Sequence, residues 1–335
     1  GKPLWTASYP ASYRDRFGFD EGPRAVPTID NGRVYTNGAA GILNCADLKN
    51  GKTIWRLDTH ASFKPRESFF GTACAPLVSG GKVFVQVGGT AGIGTGGKGS
   101  GIVAFDSETG KPLWGATSDE AGYSSPVIGK LAGKTRLVCF TRTGIVILDP
   151  GTGNILYEKR WRARIGASVN AATPVLTNDM VYFSSSYQTG SICLKASGGD
   201  YRELWSGDRI LSSHYSSSIQ SSGYLYGFDG RQEYGTQLRC VSLAGGKIAW
   251  SEAQPGKKKF GSGTLILAGD KLLVMADSGE LILARVSPKG YRRLGSAAIL
   301  NDTVRAYPAL AGGFLYVRST GELVCVDLRK ETKAK

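Results

Sequence analysis

A β-propeller of seven four-stranded blades is the fold this sequence predicts, and three observations carry the prediction. A short phrase recurs at blade-like intervals, the runs between its copies are brief and β-branched, and glycine fills 47 of 335 positions, about twice ordinary usage. The clearest copies are Asp47-Leu-Lys-Asn-Gly-Lys-Thr-Ile-Trp55 and Asp106-Ser-Glu-Thr-Gly-Lys-Pro-Leu-Trp114. Weaker ones close on Tyr157, Trp205 and Trp250, a degenerate sixth ends near Leu294, and a seventh reaches Asp327 and stops. A self-similar unit of this length is the mark of a repeat architecture.

Each unit reads alike. A short apolar run comes first, often with proline (Val26-Pro27, Ala75-Pro76, Ser125-Pro126, Thr173-Pro174, Tyr307-Pro308). A Gly or Asp turn leads to a second run such as Arg33-Val-Tyr35, Lys82-Val-Phe84, Met180-Val-Tyr182 or Phe314-Leu-Tyr316. A third run follows a glycine (Gly41, Gly101, Gly144, Gly279, Gly321), and the fourth ends on the aromatic. Runs of four to six β-branched residues bounded by turns are strands. No stretch of a dozen residues has helical periodicity with caps. Four antiparallel strands repeated in this way make a propeller blade, whose radial packing leaves only short edges.

The blades start near residues 24, 72, 123, 170, 215, 261 and 305. A single propeller domain is expected over 1–328, with a basic tail over 329–335. The last blade lacks an outermost strand, and Gly1-Lys2-Pro3-Leu4-Trp5 is the tail of the phrase without its beginning. Residues 1–8 are therefore expected to complete the last blade and close the ring; the alternative is a piece of a larger propeller. A monomeric propeller is the expected state.

Composition excludes several classes. At 41% hydrophobic residues the chain can bury a large core and is not disordered. No apolar run approaches the roughly 20 residues of a membrane span. His60 and His214 are the two histidines, so a multi-histidine metal site is excluded and no metal ligand set is expected. Aligning the third strands puts Cys45, Cys193, Cys240 and Cys325 at one register position, where other blades carry Ala104, Ile147 or Leu283. They read as small buried residues in blades too far apart for a disulfide, which needs Cα atoms within about 7 Å. Cysteine count therefore says nothing about the redox compartment.

The net charge of +14 is not evenly spread over the repeat. In a propeller the entrances to the innermost strands and the loops between second and third strands open on the same face, and loops on a rigid scaffold carry function. The first set contains Arg24, Tyr123, Asn170, His214, Tyr215 and Arg305; the second contains Arg142, Tyr187, Gln188, Arg231, Gln232, Glu233, Tyr234 and Arg318. Arginine forks suit carboxylate, phosphate or sulfate, and tyrosine and amide side chains beside them suit sugar hydroxyls. The expected ligand-binding set is Arg24, Tyr123, Arg142, Asn170, His214, Tyr215, Arg231, Gln232, Tyr234 and Arg305. The competing role for each arginine is an internal pair with a carboxylate such as Glu233. His214, Asp20 and Glu21 are weak catalytic candidates, and His214 beside Ser216–Ser218 lacks a nucleophile elbow.

Other motifs carry less. Gly92, Gly94 and Gly97 make a formal G-x-G-x-x-G, and Gly97-Lys98-Gly99 approaches a phosphate loop. Both motifs need a following helix, whereas Ile102–Asp106 reads as a strand. Lys159-Arg-Trp-Arg-Ala-Arg164 mixes basic and aromatic residues as nucleic-acid surfaces do. Together with Lys257-Lys-Lys259 and the tail it reads chiefly as solvated charge, and nucleic acid is disfavoured as a partner.

The phrase Asp-x-x-Thr-Gly-Lys-x-x-Trp at the end of a four-stranded blade resembles the PQQ-like β-propeller repeat of quinoprotein dehydrogenases and BamB-like proteins. Gly227-Phe-Asp-Gly-Arg-Gln-Glu-Tyr-Gly235 and Val169-Asn-Ala-Ala-Thr-Pro174 are similar to segments of secreted bacterial propellers of that class. The resemblance implies an exported protein, periplasmic or extracellular, and makes a protein partner reasonable. It also raises PQQ with Ca²⁺, but the adjacent Cys-Cys pair of quinoprotein dehydrogenases is missing, as is a Cys-x-x-Cys-His haem motif. No cofactor is expected. The resulting expectation is a binding or scaffold propeller for an anionic or carbohydrate-like ligand or a protein segment; a quinone-dependent oxidoreductase or sugar-acting enzyme is the alternative.

Overall fold

The computed structural model describes residues 1–15, 17–18, 22–66, 68–93, 99–253 and 261–329. Its strands form seven antiparallel sheets in chain order, and the fold is a seven-bladed β-propeller. Blade one is β1 (Thr28–Asp30), β2 (Arg33–Asn37), β3 (Ile42–Asp47) and β4 (Thr53–Asp58). Blade two is β5 (Leu77–Ser79), β6 (Lys82–Gly89), β7 (Ser100–Asp106) and β8 (Pro112–Ala116). Blade three is β9 (Val127–Leu131), β10 (Lys134–Phe140), β11 (Gly144–Leu148) and β12 (Ile155–Arg160). Blade four is β13 (Val175–Leu176), β14 (Met180–Ser185), β15 (Gly190–Ser197) and β16 (Asp200–Gly207). Blade five is β17 (Ile219–Ser221), β18 (Tyr224–Arg231), β19 (Gly235–Ser242) and β20 (Ile248–Glu252). Blade six is β21 (Gly263–Ala268), β22 (Lys271–Ala276), β23 (Glu280–Arg285) and β24 (Arg293–Ala298), and blade seven is β25 (Ala309–Ala311), β26 (Phe314–Arg318) and β27 (Leu323–Asp327). The chain divides into two compact units, Gly1–Thr189 with Leu194–Glu203, and Gly190–Cys193 with Leu204–Lys335.

Burial explains the hydrophobic runs. Second and third strands are the dry middle of a blade: β7 is buried from Ser100 to Phe105, and every residue of β11 is buried. Outer strands are more exposed, and β12 alternates along its whole length because one face packs and the other meets solvent. The third and fourth strands pair with a register shift at the same place in blade after blade, at Cys45/Ala46, Ala104/Phe105, Ile147/Leu148, Cys240/Val241 and Leu283/Ala284. The shift sets Trp55 opposite Cys45, Trp114 opposite Ala104, Tyr157 opposite Ile147 and Trp250 opposite Cys240.

Those tryptophans staple one blade to the next. The Trp55 indole Nε1 donates to the Ser107 carbonyl at 3.0 Å, Trp114 to Pro150 at 3.3 Å, Trp205 to Leu243 at 2.7 Å and Trp250 to Ser287 at 2.8 Å. In three of these contacts the indole lies over the turn glycine of the receiving blade, Gly110, Gly153 or Gly246, each at positive φ. A Cβ at any of the three would stand 2.5–2.7 Å from ring atoms. Glycine and tryptophan of the repeated phrase are thus two halves of one interblade contact.

Three differences from the sequence reading follow. Residues 1–8 have no strand geometry, and the seventh sheet contains the three strands β25 to β27. The segment is instead held through a side chain, with Trp5 Nε1 donating to the Leu48 carbonyl at 2.9 Å and its ring over Gly51. Cys45, Cys193 and Cys240 are buried as expected, whereas Cys325 on β27 is exposed; all six cysteines are free thiols. Finally, a single helical turn, α1 (Thr59–Phe63), follows β4 with Asp58 as its cap, too short to produce periodicity. No helix among the described residues is long and apolar enough to cross a membrane.

Candidate functional site

The strand-entrance residues chosen from the sequence fall into two clusters, one in each unit. In the first unit Arg24 precedes β1 and pairs with Asp15 at 2.8 Å; the Asp15 side chain is fully buried. The Arg24 guanidinium also lies over the rings of Tyr13 and Phe70, at 5.5 and 5.7 Å, as cation–π geometry requires. Tyr123 precedes β9; its hydroxyl accepts from the Phe70 amide at 3.2 Å, its ring meets Phe70 edge-on, and burial raises its pKa. Arg142, between β10 and β11, is buried at 6% exposure. It pairs with Glu120 at 2.8 Å, donates to the Ser168 and Gly166 carbonyls at 2.9 and 2.6 Å, and stands over Phe69. Asn170 is spent inside: its amide donates to Thr141 and Trp161 carbonyls, and its oxygen accepts from Ser185.

These contacts knit the loop before blade two, Ser68-Phe69-Phe70, to the entrances of blades one and three. Phe17 completes the knot, its ring 5.8 Å from Phe69 and 5.5 Å from Phe70. Phe17, Phe69 and Phe70 were not singled out in the sequence, although a Phe-Phe pair outside any strand pattern was the available signal.

The second cluster is built from blades five, six and seven. His214 Nδ1 lies 2.7 Å from Gln232 Oε1, so the ring donates there and Nε2 keeps the lone pair when the imidazole is neutral. Burial lowers the His214 pKa, with the Gln232 bond opposing it, so the neutral form holds at pH 7. Tyr215 packs against His214, and burial raises its pKa while Ser262 and the Arg305 charge pull the other way. Arg231 forks onto Glu233 at 3.2 and 2.9 Å, under the Tyr234 ring. Burial pushes Glu233 up, but the Arg231 hydrogen bond prevails and holds it below the usual carboxylate range. Tyr234 is 70% exposed and Tyr307 46%. The Tyr307 hydroxyl accepts from the Ser217 amide and donates to its hydroxyl, tying the entrance of blade seven to that of blade five. Arg305 and Arg318 are exposed and make no ion pair among the described residues.

The structure therefore brings His214, Tyr215, Arg231, Gln232, Tyr234 and Arg305 into one neighbourhood, and adds Tyr307 and Ser262. Arg24, Arg142 and Arg231 each hold an internal carboxylate, leaving Arg305 as the clearest free fork of the predicted set. Asp20, Glu21, Gly94–Lys98 and Lys257–Lys259 lie outside the described residues. The segment after the glycine-rich loop is a strand, β7, with no helix to bind phosphate. His60 sits in α1, bonded to Thr72 at 3.1 Å and packed on Gly41.

Repeated blades stapled by tryptophan, with polar entrance loops on an apolar frame, define a seven-bladed β-propeller built from one repeated phrase. The chain belongs to the family whose model is described as outer membrane protein assembly factor BamB, which matches residues 1–252. Among solved structures it resembles BamB from Moraxella catarrhalis, with 18% identity and a TM-score of 0.66 over 94% of this chain and 85% of that one. It also resembles the computationally designed Ika8 protein, with 12% identity and a TM-score of 0.65 over 98% of this chain and 87% of that one. A curated relative, the quinohemoprotein alcohol dehydrogenase ADH-IIG of Pseudomonas putida, is 36% identical over 117 residues. That match spans 34% of this chain and only 15% of the dehydrogenase.

The dehydrogenase likeness makes a quinone cofactor worth testing against the residues. Arg24, Arg142 and Arg231, the side chains suited to its carboxylates, are neutralised by Asp15, Glu120 and Glu233. No group of three His, Cys, Asp or Glu among the described residues is placed to hold a companion metal ion. Among the described residues, these arginines and carboxylates do not assemble a site for a quinone with a companion metal ion.

Proposed function

We propose that this chain is an exported binding module that takes an anionic, carbohydrate-like ligand at the strand entrances of blades five to seven. The observation that carries the reading is the free Arg305 fork set beside Tyr215, with the exposed faces of Tyr234 and Tyr307 in the same cluster. A guanidinium binds carboxylate or sulfate in two parallel hydrogen bonds, and an exposed phenol ring offers sugar a flat apolar face with a polar tip. Neutral His214, oriented by Gln232, lies in the same cluster. Export is supported by membership of a family described as an outer-membrane assembly factor.

The test is thermal stabilisation by trigalacturonate against neutral galactotriose. A ligand present at 100 times its Kd stabilises by about 2.7 kcal/mol, so saturation by the acidic sugar should raise Tm and Arg305→Ala should abolish the rise. Equal responses to both sugars, or an unchanged response in Arg305→Ala, would defeat the reading. A quinone-dependent oxidoreductase competes through the dehydrogenase likeness; an absorbance spectrum unchanged by added PQQ and Ca²⁺ removes it.

A further inference from the structure

The aromatic knot of the first unit serves a purpose the sugar site does not need. Phe17 is 52% exposed yet firmly seated: its ring rests on Phe69 and Phe70, and its amide donates to Asp15 Oδ1 at 2.7 Å. Asp15 is itself locked to Arg24. Buried Arg142 holds the rest of the platform, stacking under Phe69 while gripping the carbonyls of Gly166 and Ser168. The loop so gripped carries Ile165, 53% exposed. A phenylalanine and an isoleucine are thus presented to solvent from a frame that burial and ion pairs hold rigid.

Their surroundings are basic. Arg66 is 80% exposed at its side chain, and Arg160 and Arg164 are exposed. Glu120 is already shared between Arg142 at 2.8 Å and Arg66 at 3.4 Å. Arg162 has its pKa lowered by burial and then by the charges of Arg142 and Arg160, against the opposing pull of Glu120. An apolar centre with arginine around it is the composition of a protein-binding hot spot.

The geometry points to this knot as the docking surface for an acidic protein segment that carries an aromatic or aliphatic anchor between its carboxylates. The anchor lies against Phe17 and Ile165; the carboxylates meet Arg66, Arg160 and Arg164. Charge complementarity selects acid over base in the partner. The aliphatic Ile165 selects a peptide side chain over a sugar, whose hydroxyls gain nothing there. This surface belongs to the first unit and Arg305 to the second.

Fluorescence anisotropy with fluorescein-labelled acidic hexapeptides, each with one central Phe, Trp or Leu, tests the assignment on the whole chain. Central Ser peptides and single-stranded oligothymidylate serve as comparisons. Phe17→Ala and Ile165→Ala should each weaken the aromatic peptide at least fivefold without changing Tm, Arg164→Glu should weaken it at least tenfold, and Arg305→Ala should leave it unchanged. Central Ser peptides binding as tightly as aromatic ones would overturn the proposal, since charge alone would then explain attachment. So would oligothymidylate binding that outcompetes every peptide, which would make the surface a nucleic-acid site. Absence of binding by any peptide at millimolar concentration would overturn it too.

Discussion

Replacing Gly110 by alanine isolates the contact that repeats most faithfully through this chain. Gly110 has φ of +71°, and an added Cβ would lie 2.6 Å from Trp55 Cε3 and 2.7 Å from Cδ2. Two costs add. Left-handed backbone costs an alanine about 1–2 kcal/mol, and displacing a packed indole about 1–3 kcal/mol more. Gly32 supplies the control, because its φ of +72° is the same while nothing lies within 4 Å of its Cβ position. Gly32→Ala should therefore pay the backbone cost alone. For a unit of this size 1 kcal/mol corresponds to about 2–4 °C, so an excess of about 2 kcal/mol should lower Tm by roughly 4–8 °C more in Gly110→Ala. Differential scanning calorimetry of both variants, repeated in a Trp55→Leu background, completes a double-mutant cycle. The excess should vanish in that background, where the indole is gone. Equal losses in the two alanine variants, or an excess that survives Trp55→Leu, would refute the staple.

Three further outcomes follow from particular side chains. His214 has a folded pKa below its unfolded value of about 6.5, so the unfolded chain takes up its proton first. Stability from this group is complete above about pH 6.5 and falls on acidification towards the folded pKa; His214→Gln should flatten that part of a Tm–pH profile, and a profile identical to the wild type would contradict it. Titration of the native protein with a disulfide reagent should modify Cys325 alone, since it is exposed while the other five are buried and the Cys74 thiol is pushed up to about 11 by burial; more than one fast thiol would speak against the packing. Arg142→Met should cost about 1–3 kcal/mol, because it leaves two carbonyls without the guanidinium that satisfies them, while the partly exposed Glu120 keeps Arg66. Chemical denaturation reads that loss, and a change under 1 kcal/mol would mean the contacts are dispensable.

The sequence revealed the blades because strand, turn and closing aromatic are local signals, and the third-strand alignment through Cys45, Ala104, Ile147, Cys240 and Leu283 is the register the structure has. The interblade meaning of the phrase was hidden. Gly110 looked like turn chemistry because its partner, Trp55, belongs to the preceding copy of the repeat, and nothing in either phrase says that one receives the other.

The arginines show how far site prediction can go from residue type. Arg24, Arg142 and Arg305 occupy equivalent kinds of position, at strand entrances or second-to-third loops, and a sequence cannot rank them. What separates them is the nearest carboxylate: Asp15 is buried against Arg24, Glu120 reaches Arg142, and none is paired with Arg305 among the described residues. A buried carboxylate committed to an arginine converts a ligand fork into a tie, because breaking the pair for a new anion would leave a charge stranded in low dielectric. On that ground Arg24, locked to the fully buried Asp15, is a tie within the aromatic knot, whereas the carboxylates paired with Arg142 and Arg231 are partly exposed. Exposed arginine is found at Arg305 in one unit and at Arg66, Arg160 and Arg164 in the other, Arg66 sharing Glu120 with Arg142, and exposed rings occur in both units. Exposed arginine beside exposed aromatic surface, rather than the total of +14, is the feature on which both proposed sites rest.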